Sequence, residues 1–199
     1  KKIKILIPVY NDWQSVFKLL ENIDHGLEAW DDGVAHISVI IVNDASTEER
    51  PVNNNIFNNL KSIQVINMRE NRGHARCNAA GLKYISQNND FDLVIPMDGD
   101  GEDRPEEIGS LLCKGYEDSE KAITANRVKR SEGFIFKFCY LVHKYLTFIF
   151  TGKMIKFGNY SCLPKNVVNK MISDSATWNS FSGSLTKNVK DEDRTSILS

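Results

Sequence analysis

Two aspartates separated by one glycine, Asp98 and Asp100, directly follow an apolar run and are the residues best suited to chemistry. Carboxylates at positions i and i+2 where a strand ends can project to the same side, close enough to share a hard divalent cation. Mg²⁺ or Mn²⁺ typically takes one or two carboxylates and completes its coordination with water and phosphate oxygens. Gly99 between them lets a ligand approach the backbone. The spacing therefore favours a metal site that receives a diphosphate.

Acidic segments of this kind also occur in calcium-binding loops and in solvated turns. A calcium-binding EF-hand loop requires glycine at its sixth position and glutamate at its twelfth, and this chain has Asp103 and Gly109 there. A solvated acidic turn produces the same local sequence, and carboxylates two residues apart are common. The EF-hand is therefore excluded, whereas the acidic turn stays open on the local sequence alone.

The charges are balanced overall but divided between two segments. The 199 residues carry 25 Lys and Arg against 26 Asp and Glu, a formal net charge of −1, which argues against a generally basic nucleic-acid binder. Residues 90–107 carry eight carboxylates and one arginine, and residues 121–156 carry eight cations and one glutamate. The net charges of −7 and +7 suit a ligand set that combines a metal with phosphates.

Alternating strand and helix patterns must position these charged segments. Apolar and β-branched runs predict strands at residues 3–7, 36–42, 63–67, 91–97 and 122–125. Helical periodicity predicts helices over 13–27, 73–86 and 104–116, the first of them capped by Asn11 or Asp12. This order predicts a doubly wound α/β fold, with a mostly parallel sheet and helices on both faces.

Polar residues follow the predicted strands, at the end where ligands bind in open α/β sheets. The first strand ends in I-P-V-Y-N-D, the second in V-N-D-A-S-T and the fourth in M-D-G-D-G-E. No G-x-G-x-x-G follows the first strand and no G-x-x-x-x-G-K-[ST] occurs. A dinucleotide-binding dehydrogenase and a P-loop NTPase therefore lack their phosphate-binding loops.

The longest apolar stretch, residues 134–150, is interrupted by Lys137, His143 and Lys144. As a helix it would span roughly 25 Å, which is short of a bilayer core. Its polar residues follow a spacing of three to four and form one stripe on an apolar cylinder. A buried helix with one wet edge and a helix lying in a membrane interface both fit this pattern.

The polar motifs occur in an order and spacing that resemble family 2 glycosyltransferases of the GT-A fold. The resemblance covers residues 3–170 and is carried by I-P-V-Y-N-D, V-N-D-A-S-T, N-R-G-H-A-R-C-N-A-A-G and M-D-G-D-G-E-D-R-P-E. A-N-R-V-K-R, the stretch 134–152 and G-N-Y-S-C-L-P-K are most similar to the polyprenyl-phosphate branch. Dolichyl-phosphate mannosyltransferases and undecaprenyl-phosphate sugar transferases belong to that branch. We therefore expect a catalytic domain over 1–170, followed by a C-terminal segment, 171–199, that could precede a membrane anchor.

The resemblance implies that the chain binds a nucleoside-diphosphate sugar. Pro8, Tyr10 and Asp12 match P-x-Y-N-E, which lines the base and ribose pocket, with Asp12 in place of the usual glutamate. The N-x-G turn that closes on the nucleotide matches Asn71, Arg72 and Gly73.

The second strand contributes a further nucleotide contact in the family. Asp44 matches the second aspartate of V-D-D-G-S, which contacts the base or ribose. The chain departs from this motif at Asn43 and Ala45. These departures leave UDP and GDP both open, with a slight preference for UDP.

The resemblance also assigns the cation. Asp98 and Asp100 would be catalytic metal ligands for Mg²⁺ or Mn²⁺. Glu102 occupies the usual glutamine of D-x-D-x-Q, a third ligand in this branch, and its carboxylate would suit either ion.

The acceptor side is implied by the basic segment after the fifth strand. Arg127 and Arg130 match a catalytic R-x-x-R near the acceptor phosphate, and Lys129 adds a third cation. A lipid monophosphate is already anionic and needs cations rather than a strong base. The resemblance thus implies an inverting transfer to a polyprenyl phosphate. We expect the protein at the cytoplasmic side of the membrane, held peripherally or anchored by a C-terminal part outside this chain.

Two alternatives remain open. A family 2 transferase that extends a glycan needs a carboxylate base for the acceptor hydroxyl. Asp191, Glu192 and Asp193 are candidates by position, although a flexible polar tail explains them better. A non-catalytic metal-binding or phospho-acceptor module would resemble a receiver domain. Such a module needs an acidic pair after the first strand and a lysine after the fifth, and this chain has Asn11-Asp12 and Arg127 there.

Overall fold

The computed structural model describes residues 1–28, 30, 35–126 and 157–198. The predicted acceptor-phosphate residues Arg127, Lys129 and Arg130 lie outside these ranges, as does the apolar stretch 134–150, so their assigned roles stay predictions. Within the described ranges, no helix is both long and apolar enough to cross a bilayer.

Strands and helices alternate along most of the described chain. The strands are β1 (Lys2–Val9), β2 (His36–Asn43), β3 (Leu60–Asn67), β4 (Leu93–Pro96), β5 (Ala122–Asn126), β6 (Phe157–Pro164) and β7 (Arg194–Leu198). The α-helices are α1 (Trp13–Glu28), α2 (His74–Asn88), α3 (Ile108–Glu117), α4 (Lys165–Ile172) and α5 (Phe181–Asn188). Short 3₁₀ turns occur at Pro105–Glu107, Ser175–Trp178 and Asp191–Asp193.

The strands form one sheet in the order β3-β2-β1-β4-β6-β5-β7. Neighbours among β3, β2, β1 and β4 are parallel, β6 is antiparallel to both β4 and β5, and β7 is parallel to β5. The predicted α/β class with a mostly parallel sheet is therefore confirmed. The antiparallel β6 and the edge strand β7 were not predicted.

The central strands are apolar on both faces because helices cover both faces. Ile5 and Ile7 of β1 belong to the cluster that packs against α1 and α3, whereas Leu6 faces α2, α4 and α5. Each fully buried aliphatic side chain contributes about 1.5–3 kcal/mol. Gly81 lets α2 approach closely, since a Cβ there would lie 2.3 Å from a methyl carbon of Leu6.

Two strand boundaries differ from the predicted ones for identifiable reasons. β3 begins at Leu60 rather than 63, because the Asp24 carboxylate accepts hydrogen bonds from the backbone N–H groups of residues 58–60 at 2.7–3.2 Å. β4 ends at Pro96, which has no N–H group to donate. The backbone N–H of Met97 still donates to Leu6 at 2.9 Å, so the chain follows β1 as far as the two aspartates.

The interpretation of the C-terminal residues as a flexible polar tail was wrong. Asp191–Asp193 form a 3₁₀ turn, and the following residues form β7, which pairs in register with β5. Arg194 also stacks over the Phe157 ring at 5.3 Å and donates to the Thr186 hydroxyl at 3.1 Å. The sheet therefore extends past residue 170 into the C-terminal segment.

Candidate active site at the carboxyl ends of the parallel strands

The ends of β1 and β4 and the start of α2 enclose a pocket of about 210 Å³. Its lining residues are Pro8, Val9, Tyr10, Asp12, Val16, His74, Asp98, Gly99 and Asp100. The structure thus brings the three predicted β1 nucleotide residues together with the two predicted metal ligands. Gly99 suits this arrangement, because a Cβ there would lie only 3.0 Å from the carbonyl oxygen of Pro8.

The turn that carries the two aspartates is held by its own carboxylates. The buried Asp103 accepts a hydrogen bond from the backbone N–H of Asp98 at 2.8 Å, and Asp100 accepts one from the N–H of Glu102 at 2.9 Å. Gly101 has a φ of +78°, a left-handed conformation that glycine adopts at little cost. Asp103 is therefore a structural member of this turn, a role that the sequence did not reveal.

The Asp98 carboxylate makes contacts to two other elements. Its Oδ1 accepts a hydrogen bond from Asn159 Nδ2 of β6 at 3.0 Å and lies 3.1 Å from His74 Nε2 at the start of α2. The Asp98 side chain is only 18% exposed, whereas Asp100 is exposed. Both Asn159 and His74 lie inside motifs that predicted no role for them.

The hydrogen bond with Asp98 raises the pKa of His74, and the negative charges of Asp98, Asp100 and Asp103 act in the same direction. Partial burial of the ring opposes this rise. The contact with Asp98 therefore favours the imidazolium form. Its contribution to stability is fully present below the ordinary imidazole pKa and is lost as the pH rises through the raised value.

The two aspartates fit a cation that takes one or two protein carboxylates and leaves positions for water and phosphates. Asp98 and Asp100 line the same pocket, but Glu102 is exposed and does not line it. Among the described residues, no three His, Cys, Asp or Glu side chains are grouped as a metal site. The third-ligand role of Glu102 thus stays a prediction, because Glu102 does not line the pocket together with Asp98 and Asp100.

Asp44 connects the second strand to the turn before α2. Its side chain is buried, with 4% exposure, and its two oxygens accept hydrogen bonds from the backbone N–H groups of Arg72 and Gly73, both at 2.8 Å. Gly73 has a φ of +86° and precedes the first residue of α2. Asp44 therefore fixes the predicted N-x-G turn, whether or not it also contacts a nucleotide.

Asn11 joins the loops that follow β1 and β2. It receives hydrogen bonds on its side-chain oxygen from the N–H groups of Thr47, at 2.8 Å, and Glu48, at 3.2 Å, and its own N–H donates to the Ser46 hydroxyl at 2.9 Å. Asn11 and Ala45 both have positive φ, +52° and +56°. Asparagine tolerates this conformation better than alanine does. Ala45 thus adopts the conformation that suits the glycine of the family motif.

Asp12 is the residue that caps α1, which resolves the choice left open by the sequence. Its Oδ1 accepts a hydrogen bond from the N–H of Ser15 at 3.3 Å, at the position expected of an N-cap. Tyr10 is 48% exposed at the rim of the pocket and offers an aromatic face to solvent. Asn71 is exposed in the turn that Asp44 holds. Their contacts with a nucleotide stay predictions.

The sequence of the chain is similar to that of curated undecaprenyl-phosphate sugar transferases. An undecaprenyl-phosphate 4-deoxy-4-formamido-L-arabinose transferase of Salmonella paratyphi B is 28% identical over 172 residues, covering 82% of this chain and 47% of the relative. The corresponding transferase of Enterobacter sp. (strain 638) is 24% identical over 171 residues, with 81% and 47% coverage. The chain therefore spans about half the length of the curated relatives it matches. These relatives belong to the polyprenyl-phosphate branch that the motifs resemble.

Solved structures with low sequence identity share the fold. S. aureus TarS 1-349 aligns with a TM-score of 0.60 at 14% identity, over 99% of this chain and 58% of its own. The mannosyltransferase PcManGT from Pyrobaculum calidifontis, solved with GDP-Man and Mn²⁺, aligns with a TM-score of 0.59 at 15% identity, over 99% and 54%. The GT-A fold is thereby confirmed. The sequence profile described as Glycosyl transferase family 2 matches residues 4–178, so this chain belongs to glycosyl transferase family 2.

Proposed function

We propose that this protein is a metal-dependent, inverting glycosyltransferase that moves a sugar from a nucleoside-diphosphate sugar to a polyprenyl phosphate. One observation carries the proposal. The Asp98–Asp100 turn, the β1 residues that resemble a nucleotide pocket and the start of α2 line one pocket at the carboxyl ends of parallel strands. Ligands bind at this edge in open α/β sheets.

The donor diphosphate fits between the aspartate turn and α2. The first N–H groups of a helix have no intrahelical partner and carry a partial positive charge. α2 has no acidic residue in its first turn, and its N-cap Gly73 contributes no side-chain cap. Asp98 and Asp100 would hold Mg²⁺ or Mn²⁺, which when bound neutralises charge that develops on the leaving diphosphate. The Mn²⁺ present in PcManGT supports a divalent ion without selecting which one.

The nucleotide fits on the β1 side of the pocket. The exposed Tyr10 ring offers a stacking face, and Asp44 and Asn11 hold the neighbouring loops in place. TarS has been solved with UDP-GlcNAc and PcManGT with GDP-Man, so the neighbours support a nucleotide sugar of either base. We retain the slight preference for UDP.

The polyprenyl-phosphate acceptor is supported by the names of the curated relatives and by the motif resemblance. Arg127, Lys129 and Arg130 would hold the acceptor phosphate beside the donor. Because this oxygen is already anionic, direct displacement at the anomeric carbon needs no strong general base. The lipid substrate would place the protein at the cytoplasmic face of a membrane, with residues 134–150 against the interface.

A sugar-hydroxyl acceptor receives no support from the candidate base residues. Asp191–Asp193 precede β7, which runs parallel to β5 and therefore starts at the amino-end edge of the sheet. The pocket lies at the opposite edge. These carboxylates thus lie away from the place where an acceptor hydroxyl would have to be deprotonated.

A transfer assay tests the proposal. The full chain is incubated with Mn²⁺ or Mg²⁺, radiolabelled UDP- and GDP-sugars, and either a short polyprenyl phosphate or a panel of saccharides. We expect label in the lipid phosphate only when a divalent ion is present, with inverted configuration at the anomeric carbon. Label only in a saccharide would overturn the acceptor, and metal-independent transfer would overturn the cation. Identifying the released nucleoside diphosphate assigns the base.

A further inference from the structure

A polar cluster surrounds Asp98, and its other members have no role in the function proposed so far. It consists of His74 and Asn78 on α2, Asp98 after β4, and Asn159 on β6. His74 Nε2 lies 2.7 Å from the side-chain nitrogens of both Asn78 and Asn159, and 3.1 Å from Asp98 Oδ1. The cluster therefore connects three separate elements at one carboxylate oxygen.

Asn159 is the residue that can bind both partners at once. Its amide nitrogen donates to Asp98 Oδ1 at 3.0 Å and lies 2.7 Å from His74 Nε2, so Asn159 contacts both residues. The two residues that follow Asn159 help to fix its position. The neighbouring Tyr160 hydroxyl donates to the carbonyl of Arg104 at 2.7 Å, and the buried Ser161 hydroxyl donates to the carbonyl of Asn159 at 2.9 Å.

His74 is held on the other side by α2. It is the first residue of the helix, and Asn78 lies one turn later with 1% exposure. The α2 start is itself tied to β2 through the hydrogen bonds from Arg72 and Gly73 to Asp44. Both contacts on Asp98 Oδ1 thus come from groups whose own positions are fixed.

A carboxylate held in this way has a restricted orientation before a ligand arrives. Fixing a side chain in advance reduces the entropy lost on binding, and partners that orient a metal ligand usually matter for affinity. Asp100, by contrast, is exposed and accepts its hydrogen bond from the N–H of Glu102 within its own turn. The two aspartates therefore differ in how firmly the rest of the molecule orients them.

We propose that His74 and Asn159 are positioning residues that orient the Asp98 carboxylate for the divalent cation. This inference rests on the proposed metal-dependent function. The two residues act through Asp98, and neither is assigned a contact with the substrate.

Direct measurement of Mn²⁺ binding tests the inference without relying on activity. Free Mn²⁺ is followed by electron paramagnetic resonance in titrations of the full chain, with Mn²⁺ alone and with Mn²⁺ plus UDP or GDP. The variants are His74→Ala, His74→Gln and Asn159→Ala. The control is His25→Ala, an exposed histidine on α1 that pairs with Glu28. Thermal unfolding identifies any variant that does not fold.

We expect His74→Ala and Asn159→Ala each to weaken Mn²⁺ binding by about tenfold, the lower end of the effect typical for groups that orient a metal ligand. His74→Gln retains a hydrogen-bonding amide and should stay within about threefold of the parent chain. His25→Ala should have no effect. In an Asp98→Ala background, His74→Ala should cause no further loss, because its effect acts through that carboxylate.

The outcomes separate this inference from the proposed function. Folded His74→Ala and Asn159→Ala variants that bind Mn²⁺ as well as the parent chain would overturn the positioning role and leave the proposed function standing. The same tenfold loss in the Asp98→Ala background would also overturn it. A parent chain that binds no Mn²⁺, with or without UDP or GDP, would overturn both. If His74→Ala does not fold, His74→Gln and Asn159→Ala decide the question.

Discussion

The two edges of the sheet both carry charged pockets, but their chemistry differs. The amino-end pocket is the larger, about 450 Å³, and is lined by Lys1, Lys2, His36, Asn89, Asp90, Phe91, Asp92 and Lys165. Lys2 forms an ion pair with Asp90 and its backbone N–H donates to Asp92. At the carboxyl-end edge, a pocket of about 210 Å³ gathers three aspartates, a histidine and the start of α2. The larger pocket is therefore not the one that we propose to be functional, whose described lining residues include three aspartates and no lysine.

Backbone conformation separates the two edges as well. The positive-φ residues Asn11, Ala45, Gly73 and Gly101 all lie in the loops at the carboxyl-end edge. The described loops at the amino-end edge include one such residue, Asn89, which ends α2. Unusual backbone conformations persist where the surrounding structure holds them, often at functional sites. Variants at the amino-end edge can therefore serve as controls for variants at the carboxyl-end edge.

The largest expected effect is on transfer. Asp100→Ala should lower the metal-dependent transfer rate by about 10³-fold, because a cation that stabilises the leaving diphosphate contributes several kcal/mol. Asp92→Ala, at the amino-end edge, should stay within about twofold. Initial rates with saturating donor measure both. Full turnover by Asp100→Ala would contradict the prediction that transfer depends on the carboxyl-end edge and not on the amino-end edge.

The second prediction compares two buried carboxylates that each hold a loop. At the carboxyl-end edge, Asp44 accepts hydrogen bonds from two backbone N–H groups. At the amino-end edge, Asp24 accepts hydrogen bonds from the backbone N–H groups of residues 58–60. Replacing either with alanine should cost about 3 kcal/mol in the free energy of unfolding, because buried N–H donors lose charged acceptors. Urea denaturation measures this loss.

Donor binding should then separate these two variants. Asp44→Ala also frees the turn before α2, so the donor KM should rise by about tenfold or more, whereas Asp24→Ala should leave it unchanged in protein that is still folded. A similar rise in both variants would show that Asp44 acts only through general stability.

A third prediction concerns the backbone at the carboxyl-end edge. Ala45→Gly should raise the free energy of unfolding by about 0.5–1 kcal/mol. The left-handed conformation costs alanine about 1–2 kcal/mol, and the greater flexibility of unfolded glycine offsets part of this gain. A chemical denaturation midpoint measures the change. A destabilised Ala45→Gly variant would contradict the strain assigned to this loop.

The smallest effect is expected at the amino-end edge. The hydrogen bond from Lys2 lowers the pKa of Asp90, so the ion pair contributes above the ordinary aspartate pKa and is lost as the pH falls through the lowered value. Because both side chains are exposed, Asp90→Asn should reduce the melting temperature only slightly at neutral pH and low salt. The difference should vanish in acid or in high salt. A large difference in melting temperature would contradict the small contribution that we infer for this ion pair.

Local sequence patterns were sufficient for the parts of the fold that depend on neighbours in the chain. Apolar runs predicted β1, β2 and β5 to within two residues, and the polar residues after β1 and β4 marked the pocket. Asp98 and Asp100 were proposed as metal ligands because their spacing permits a shared ligand and because the motifs around them resemble one family. The family resemblance was confirmed by the match over residues 4–178.

The parts that were not predicted depend on contacts distant in sequence. β6 mixes polar and apolar residues, and only its place between β4 and β5 brings Asn159 to Asp98. Likewise, a carboxylate such as Asp44 can accept hydrogen bonds from a ligand or from the backbone. The local sequence is the same in both cases, so it does not predict which donor the carboxylate binds. His74 could have been suspected, since it directly follows the predicted N-x-G turn.

The pairing of Asn126 with Phe157 has a consequence for the tolerance of the sheet to changes in chain length. Both residues are fixed by their strands and face each other across neighbouring positions of β5 and β6. The entropy of closing a chain between two such fixed points changes slowly with its length, by about 0.6 kcal/mol for each doubling. Replacing residues 127–156 with a segment of another length should therefore change the stability of the sheet only slightly.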